Sequence, residues 1–367
     1  MKKILLITGG AGFVGSNLAV FLSDRLADHR VICLDNMQRR GSELNAARFK
    51  DHGIRLIKGD VTNPKHLAKL GRVDLIIDCA AEPSVLAAHQ EPLKAIQSNL
   101  IGTLNCLELA RRSRADFIFL STSRVYPIAA LEEISWEELP TRYDWKKDVS
   151  GPGHSYAGVT PQFPLNGVRS LYGATKLCSE QLLVEYLDMF KLRGVINRFG
   201  IIAGPWQWGK EDQGVVGFWV ARHKYKDSLS YIGYGGTGKQ VRDALHIDDV
   251  CELILLEIEQ MASVNRQIFN VGGGRKNSFS LYELTKQVCT ITMASIPLAS
   301  VAETRPYDLR IYIADNSLVT KHTGWAPRRS LENILFDTNQ WIDDNFQKLA
   351  PFLSDSQAKV RRKYVAR

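Results

Sequence analysis

The segment spanning residues 3–15, KILLITGGAGFVG, constrains the fold of this chain more than any other feature. An apolar run of strand length is followed at once by spaced glycines and then by a helical pattern. Unbroken apolar strands are typical of parallel sheets, which are buried on both faces. Gly9 permits a tight turn, Gly12 lets the backbone approach a pyrophosphate, and Gly15 lets the helix pack closely on the strand. The segment predicts one edge of a dinucleotide-binding site.

The first helix and the end of the next strand complete this predicted site. The backbone amides near Phe13 and Val14 would face phosphate oxygens at the positive end of the helix dipole. The second predicted strand ends in Asp35, about twenty residues beyond the glycines. A carboxylate there accepts hydrogen bonds from the adenosine ribose and repels a 2′-phosphate. NAD is therefore favoured over NADP, although Arg39 and Arg40 weaken the preference.

The composition excludes several classes of protein. With 367 residues, of which 45% are hydrophobic, the chain can bury the core of one large or two fused domains. It has no apolar run of transmembrane length, and its first residues, MKK, lead directly into the first strand, so we expect a cytoplasmic protein that does not bind membranes. The six cysteines are scattered without a CxxC pair, which predicts reduced thiols and no metal site.

The net charge of +8 does not indicate a nucleic-acid partner. Much of the excess lies in the tail at 359–367, KVRRKYVAR, and no nucleic-acid motif accompanies it. Basic residues within the body of the chain are better explained as a cradle for a diphosphate. These residues are Lys239, Arg242, Arg305 and Arg310.

Strand-like apolar runs alternate with helical patterns over the first two hundred residues. We predict strands at 3–8, 31–34, 55–58, 75–79, 117–120 and 194–197. This alternation specifies an α/β fold with a Rossmann-type doubly wound parallel sheet, followed by a smaller C-terminal substrate-binding domain. Ligands of such sheets bind beyond the carboxyl ends of the strands. The residues at those ends are Thr8, Asp35, Asp60, Ala80, Ala81, Ser121, Thr122 and Ser123.

We predict the following domain organisation. The NAD-binding Rossmann domain spans 1–203, the substrate domain 204–245 and 273–345, and the segment 246–272 returns to the Rossmann domain. A basic tail follows at 346–367. The Rossmann domain contains an insertion at 127–170, which is either a lid that excludes water or a surface excursion or subunit contact.

Tyr172 and Lys176 form an acid–base candidate within YGATK. Four residues apart at the start of a helical pattern, both side chains lie on one face. A free phenol has a pKa of about 10, but an ammonium group and an oxidised nicotinamide nearby would favour the phenolate. Proton removal from a sugar hydroxyl then becomes feasible as hydride leaves its carbon. YxxxK alone is usually a solvated face, so the interpretation depends on its combination with the glycine turn and the serine-rich strand end.

Together these motifs resemble the extended short-chain dehydrogenase/reductase family of nucleotide-sugar-modifying enzymes, from the N-terminus to about Trp325. The motifs that carry the resemblance are GGAGFVG, Asp35-Asn36, Gly59-Asp60-Val61, Cys79-Ala80-Ala81, Asn99, Ser121-Thr122-Ser123, Tyr172, Lys176, Arg198, Gly204-Pro205, VRDALHIDD and RPYD.

The resemblance implies a role for each matching residue. Thr122 would hydrogen-bond the reacting sugar oxygen, Tyr172 would be the general base, and Lys176 would hold the nicotinamide ribose. The implied NAD contacts are Gly9, Gly12, Phe13, Val14, Gly15, Asp35, Asn36, Arg39, Asp60, Val61, Ala80, Ala81, Asn99, Tyr172 and Lys176. The implied contacts to a nucleotide-diphosphate sugar are Ser123, Arg124, Arg198, Gln213, Arg242, Arg305 and Asp308. The alternative for the arginines is surface salt bridges.

The expected reaction is an epimerisation. Dehydratases of the family carry Thr-Asp-Glu where this chain has Thr122-Ser123-Arg124, so the acid and base that expel water are missing. The segments DNMQRRGSELN, STSRVY and IGYGGTGKQVRD are most similar to the CDP-paratose 2-epimerase group, which implies oxidation and re-reduction at C2 with permanently bound NAD. The alternatives are a UDP-hexose 4-epimerase, a related dehydratase or reductase, and a catalytically silent NAD-binding scaffold. We expect a homo-oligomer, because relatives often pair through the helices after Asn99 and Tyr172.

Overall fold

A seven-stranded parallel sheet forms the centre of the computed structural model, which describes residues 2–210 and 213–354. The strands are β1 Lys3–Thr8, β2 His29–Asp35, β3 Arg55–Lys58, β4 Leu75–Asp78, β5 Asp116–Thr122, β6 Gly194–Phe199 and β7 Ile268–Val271. Their spatial order is β3-β2-β1-β4-β5-β6-β7, and all six pairings are parallel. The order reverses between β1 and β4, where such sheets bind ligands. The predicted α/β fold is confirmed.

The apolar run of β1 is buried on both faces of the sheet. Leu5 and Ile7 pack into a cluster with Leu18 and Leu253, whereas Leu6 packs on the other face. All three β1 side chains are completely buried. Burying each of them stabilises the fold by about 1.5–3 kcal/mol, which explains why the strand is apolar without alternation.

Helices cover both faces of the sheet and continue into the C-terminal part. Phe13–Arg25 and Ile247–Glu259 pack together on one face, and Gly102–Ser113 and Leu171–Met189 pack together on the other. A π-helical turn, Gln97–Ile101, precedes Gly102–Ser113. The other α-helices of the described residues are Ser42–Ala47, Pro64–Ala68, Val85–Gln90, Pro92–Ile96, Ile128–Glu132, Val215–Tyr225, Met261–Val264, Leu281–Thr292, Ser317–Thr323, Leu331–Asp344 and Phe346–Leu353.

A smaller part of the chain packs around two minor sheets. One contains Ile201–Ala203, Val241–His246 and Ser278–Ser280, and the other pairs Leu229–Ile232 with Leu298–Val301. Its core combines Val216, Trp219, Leu284, Ile334 and Leu349. The chain returns to the large sheet through β7. The basic segment 359–367 of the predicted tail lies outside the described residues.

The insertion at 127–170 packs as a fixed layer. It contains a hairpin of Trp136–Glu138 with Tyr143–Trp145 and the short strands Ser150–Gly151, His154–Ser155 and Gly158–Val159. Trp145 is buried in a cluster with Leu309, Ile311 and Ile313. The amide of Val159 donates to the carbonyl of Ile313 at 2.9 Å. The insertion therefore holds the segment 309–314 in place.

Candidate active site

A cleft with a volume of about 1040 Å³ opens at the carboxyl ends of the central strands and extends into the C-terminal part. We call the lining residues from 9–15, 34–40, 59–61 and 79–86 the cofactor half. Those from 207–222, 228–243 and 305–312 form the substrate half. No residue of 127–170, all of which the structure describes, lines this cleft. Side chains of the insertion pack against 309–314, and the choice between a lid and a surface excursion or subunit contact stays a prediction.

The glycine turn has the geometry that its sequence predicts. Gly9 has a positive φ of 61°, and a Cβ added there would lie 2.9 Å from the Cα of Ala80. A Cβ added at Gly15 would overlap the carbonyl oxygen of Gly9. Gly12 is the N-cap of the helix Phe13–Arg25 and supplies no side-chain cap, so the first amides of this 13-residue helix keep their donors for a ligand. The cradle fits a pyrophosphate.

Acidic side chains lie at the carboxyl ends of β2 and β3, at the adenosine end of the cofactor half. Asp35 accepts hydrogen bonds from the amides of Ala11 at 2.9 Å and Met37 at 2.7 Å, and burial raises the pKa of its carboxyl. Asp60 accepts a hydrogen bond from the side-chain amide of Asn36 at 3.0 Å. These contacts fix both carboxylates at the cleft wall, where they suit the hydroxyl and amino groups of an adenosine.

Two arginines connect the cofactor half to distant segments. Arg39 donates a 2.5 Å hydrogen bond to the side chain of Gln213, across the cleft. Arg40 donates to the carbonyl of Pro351, and its guanidinium lies 5.4 Å from the ring of Phe352. The helix Phe346–Leu353 therefore lies at the adenosine end of the cleft.

Thr122 and Tyr172 meet where β5 ends and the helix Leu171–Met189 begins. Ser170 caps this helix by accepting a hydrogen bond from the amide of Gly173 at 3.2 Å. Burial raises the pKa of Tyr172, and a hydrogen bond with the Thr122 hydroxyl and the charge of Arg124 act in the opposite direction. A threonine hydroxyl and a phenol that line the same cleft can hold and move one proton at a substrate oxygen.

Lys176 lies deeper than the sequence suggests. Its ammonium group lies 3.9 Å from the centre of the Phe119 ring, and the side chain is almost completely buried. Burial lowers the pKa of Lys176 to about 8, against the charge of Asp78. The charged groups that act on Tyr172 are instead Arg124 and Glu82. The role expected of Lys176 at the nicotinamide ribose and the phenol stays a prediction.

Most residues proposed from the sequence line the cleft, but Asn99 and Arg198 do not. Asn99 accepts a hydrogen bond from the amide of Glu82 at 2.7 Å and so positions the cofactor half from behind. Arg198 forms a buried ion pair with Glu180 at 2.7 Å. The substrate contact expected of Arg198 is therefore corrected, because β6 directs its side chain beneath the helix Leu171–Met189. The proposed residues that do line the cleft are Gly9, Gly12, Phe13, Val14, Gly15, Asp35, Asn36, Arg39, Asp60, Val61, Ala80, Ala81, Thr122, Ser123, Arg124, Tyr172, Lys176, Gln213, Arg242, Arg305 and Asp308.

The substrate half presents a cationic patch. Arg242 donates to the carboxylate of Asp308 and to the carbonyl of Leu309, both at 2.7 Å. Arg124 donates to the carbonyl of Tyr307 at 2.9 Å. Arg305 lines the same region. Held in this way, the guanidinium groups suit a diphosphate.

Sequence reasoning missed three polar residues of the substrate half. Gln240 and Asp243 flank Arg242 and line the cleft, and Tyr312 lines it from the segment held by the insertion. The alternation of the strand around Arg242 could have drawn attention to Gln240. Nothing in the sequence marks Tyr312, which reaches the cleft because its amide pairs with the carbonyl of Val241 at 3.1 Å.

These features define a class of protein: an enzyme that binds a dinucleotide on a Rossmann-type sheet and carries out acid–base chemistry beside it. The chain matches the NAD dependent epimerase/dehydratase family over residues 5–272 and belongs to that family. The predicted enzyme class and its cofactor, NAD, are thereby confirmed. Within the described ranges, no helix is long and apolar enough to span a membrane.

Several known proteins are similar over most of the chain. The CDP-paratose 2-epimerase of Salmonella typhi is 30% identical over 350 residues, which cover 92% of this chain and 98% of that protein. A UDP-glucose 4-epimerase from Thermotoga maritima, solved with UDP-glucose, is 25% identical and superimposes with a TM-score of 0.76, covering 94% and 99% of the two chains. A UDP-glucuronic acid 4-epimerase from Bacillus cereus, solved with NAD, shares the fold with a TM-score of 0.77 at 23% identity, covering 93% and 99%.

Proposed function

We propose that this chain epimerises a nucleotide-diphosphate sugar by transient oxidation to a ketone and re-reduction, converting CDP-paratose to CDP-tyvelose at C2. The observation that carries the proposal is that Thr122, Tyr172 and Arg242 line one cleft together with the glycine cradle. One cleft thus combines a place for a dinucleotide, an acid–base pair and a cationic patch suited to a diphosphate.

The reaction needs one proton acceptor at the sugar oxygen. Tyr172, ionised, takes the hydroxyl proton, while Thr122 hydrogen-bonds the same oxygen and holds it in place. Bound NAD supplies the hydride acceptor and, for the return step, the hydride donor. After the ketosugar presents its other face, Tyr172 gives the proton back to the ketone oxygen. Proton and hydride both leave and both return, so there is no net oxidation.

The charges around Thr122 favour epimerisation over dehydration. Ser123 and Arg124, which line the cleft directly after Thr122, carry no carboxyl group with which to expel water. Glu82 also lines the cleft, but its carboxylate accepts a hydrogen bond from the amide of Ser84 at 3.2 Å. Elimination needs a free acid and base beside the reacting carbons, and these positions do not supply them.

The choice of a cytidine nucleotide and of C2 is supported by similarity. The CDP-paratose 2-epimerase of Salmonella typhi matches 92% of this chain, at 30% identity. A UDP-glucose 4-epimerase of Erwinia amylovora matches 94% of the chain at 25% identity, and a UDP-hexose is therefore the second candidate substrate.

The test is a panel of CDP, UDP and dTDP sugars incubated with the purified protein without added cofactor, with the products separated by chromatography. We expect epimerisation of CDP-paratose and release of stoichiometric NAD on denaturation. Conversion of UDP-hexoses alone would replace the proposed substrate. Tyr172→Phe distinguishes an enzyme from a scaffold, because a scaffold would lose no function.

We propose further that the protein is a homo-oligomer. The helix Leu171–Met189 and the residue after it expose Val184, Met189 and Phe190, by 41%, 67% and 41%. Apolar side chains exposed on a surface helix become buried when a second subunit packs on it. Light scattering after gel filtration should give a multiple of 41.2 kDa, and a monomer mass would contradict the proposal.

A further inference from the structure

Asn45 joins the glycine turn to a tryptophan of the substrate half through two hydrogen bonds. Its side-chain nitrogen donates to the carbonyl of Ala11 at 3.1 Å, and its side-chain oxygen accepts from the indole nitrogen of Trp208 at 3.1 Å. We propose that Asn45 is a positioning residue for NAD, and that its bond to Trp208 makes the retention of NAD depend on the helix Phe346–Leu353. The proposal concerns the cofactor and is independent of which sugar is the substrate.

The two partners of Asn45 fix the orientation of its side-chain amide. A backbone carbonyl only accepts and an indole N–H only donates, so the amide nitrogen faces Ala11 and the amide oxygen faces Trp208. The side chain of Asn45 is completely buried, and so are both hydrogen bonds. Removing either partner leaves a buried polar group unpaired, which costs more than the hydrogen bond itself contributes. Asn45 therefore holds Ala11 and Trp208 at a fixed separation.

Both backbone polar groups of Ala11 are held by side chains. Its amide donates to the carboxylate of Asp35 at 2.9 Å, and its carbonyl accepts from Asn45. Ala11 lies between Gly9 and Gly12, which have no side chains of their own with which to fix the turn. The position of the backbone amides that form the pyrophosphate cradle therefore depends on the hydrogen bond from Asn45 as well as on Asp35.

Trp208 extends this contact to the last two helices of the described residues. Its ring packs on the backbone of Gly41, where an added Cβ would overlap it. The centre of the ring lies 5.2 Å from the ring of Phe352 and 5.6 Å from the ring of Trp341. Trp208 and Phe352 both line the cleft. A displacement of the helix Phe346–Leu353 would therefore move Trp208 and, through the indole hydrogen bond, the support of the glycine turn.

The experiment measures how fast NAD leaves the loaded protein, without any sugar. Protein carrying radiolabelled NAD is mixed with an excess of unlabelled NAD, and the label that stays bound is counted after rapid gel filtration at successive times. In Asn45→Ala we expect release to be about 5- to 50-fold faster, because the carbonyl of Ala11 loses its donor and the turn loosens. Trp208→Phe removes the indole N–H and should accelerate release about 2- to 10-fold. The double variant should release NAD no faster than Asn45→Ala, because the two residues act in series.

Trp325→Phe is the matched control for Trp208→Phe. The indole nitrogen of Trp325 donates to the carbonyl of Asp249 at 3.0 Å, and its side chain is similarly buried, but it does not line the cleft. This variant should lose stability in denaturant unfolding as Trp208→Phe does, and its NAD release should not change. Equal acceleration of release in the two tryptophan variants would show a general loss of stability and would overturn the proposal.

Phe352→Leu tests the contribution of the helix Phe346–Leu353. We expect it to accelerate NAD release about 2- to 10-fold, because the ring contact with Trp208 is lost. Combined with Asn45→Ala, it should add nothing further, since the helix acts through Asn45. Full addition of the two effects would mean that Phe352 acts on NAD directly, and it would overturn the dependence on this link.

Unchanged NAD release in Asn45→Ala would overturn the proposal. If that variant does not fold, unchanged release in Trp208→Phe would overturn it instead. Failure of every sugar in the panel would overturn the proposed function, but the release of labelled NAD would still be measured, so the two failures are distinguishable.

Discussion

The cofactor half of the cleft is built from the ends of adjacent strands, whereas the substrate half is assembled from segments distant in the sequence. In the cofactor half, Gly9 follows β1, Asp35 ends β2 and Asp60 lies two residues beyond β3, so the sheet alone brings them together. In the substrate half, Arg242 meets Asp308, 66 residues away. The first half therefore depends on backbone geometry, and the second on side-chain contacts that other substitutions can rearrange.

The largest effect is expected where the two halves meet. Tyr172→Phe should lower turnover by about 10²- to 10⁴-fold, because it removes the proton acceptor while leaving the ring in place. NAD content should not change. Tyr186→Phe is the matched control, since this phenol donates to Glu108 at 2.7 Å on the same helix and does not line the cleft. Equal losses in both variants would mean that the helix, and not the phenol, matters.

In the cofactor half, we expect NAD binding to be lost when a substitution disturbs the backbone of the glycine turn. Gly15→Ala places a Cβ against the carbonyl of Gly9, so we expect loss of bound NAD and destabilisation by about 1–3 kcal/mol. Denaturant unfolding and the nucleotide released on denaturation measure the two effects. Gly53→Ala serves as control, because it meets no atom within 4 Å and introduces only the strain of its positive φ of 62°. NAD bound in full by Gly15→Ala would contradict the cradle.

In the substrate half, we expect the loss of a charged side chain to weaken substrate binding without loss of NAD. Arg242→Gln removes a guanidinium from the cationic patch and should raise KM for the nucleotide sugar by about 10- to 100-fold, with NAD content unchanged. Arg310→Gln is the comparison, because Arg310 pairs with Glu132 and lies over Trp136, outside the cleft lining. A KM that rises equally in both would show a general effect of charge.

The smallest effect concerns Asp243, which is buried in the substrate half. Burial raises the pKa of its carboxyl to about 6, above the unfolded value of 3.8, so the folded protein binds this proton more tightly and stability falls as pH rises through that window. Asp243→Asn keeps an oxygen for the amides of Gly274 and Ala314 and removes the charge. It should raise the free energy of unfolding by about 1–2 kcal/mol near pH 8 and by little below pH 4. A variant less stable at both pH values would contradict this sign.

The sequence predicts the cofactor half of the cleft better than it predicts the substrate half. The six predicted strands all lie in the central sheet, because each is a local apolar run that two helical layers bury. Once the strands are placed, the residues at their carboxyl ends are predicted to line the cleft. The sequence did not predict where the Arg198 side chain lies, because a strand residue can face either side of the sheet. The ion pair with Glu180 determines the side that Arg198 faces.

The insertion at 127–170 shows a second limit of prediction from sequence, which concerns packing partners. Its aromatic residues and glycines are compatible with a lid, a surface excursion or a subunit contact, and only the structure shows that Trp145 packs against the segment 309–314. Sequence patterns describe which residues need burial, but they do not name the distant partner that buries them.

The sequence by itself determined the parallel sheet, the glycine cradle and the juxtaposition of a phenol and an amine on one helix, because these follow from local periodicity and from the absence of a side chain at particular glycines. Tertiary structure decided how deeply Lys176 is buried and which arginines reach the cleft. Electrostatic action depends on distance and burial, and both are set by contacts between segments that the chain brings together only on folding.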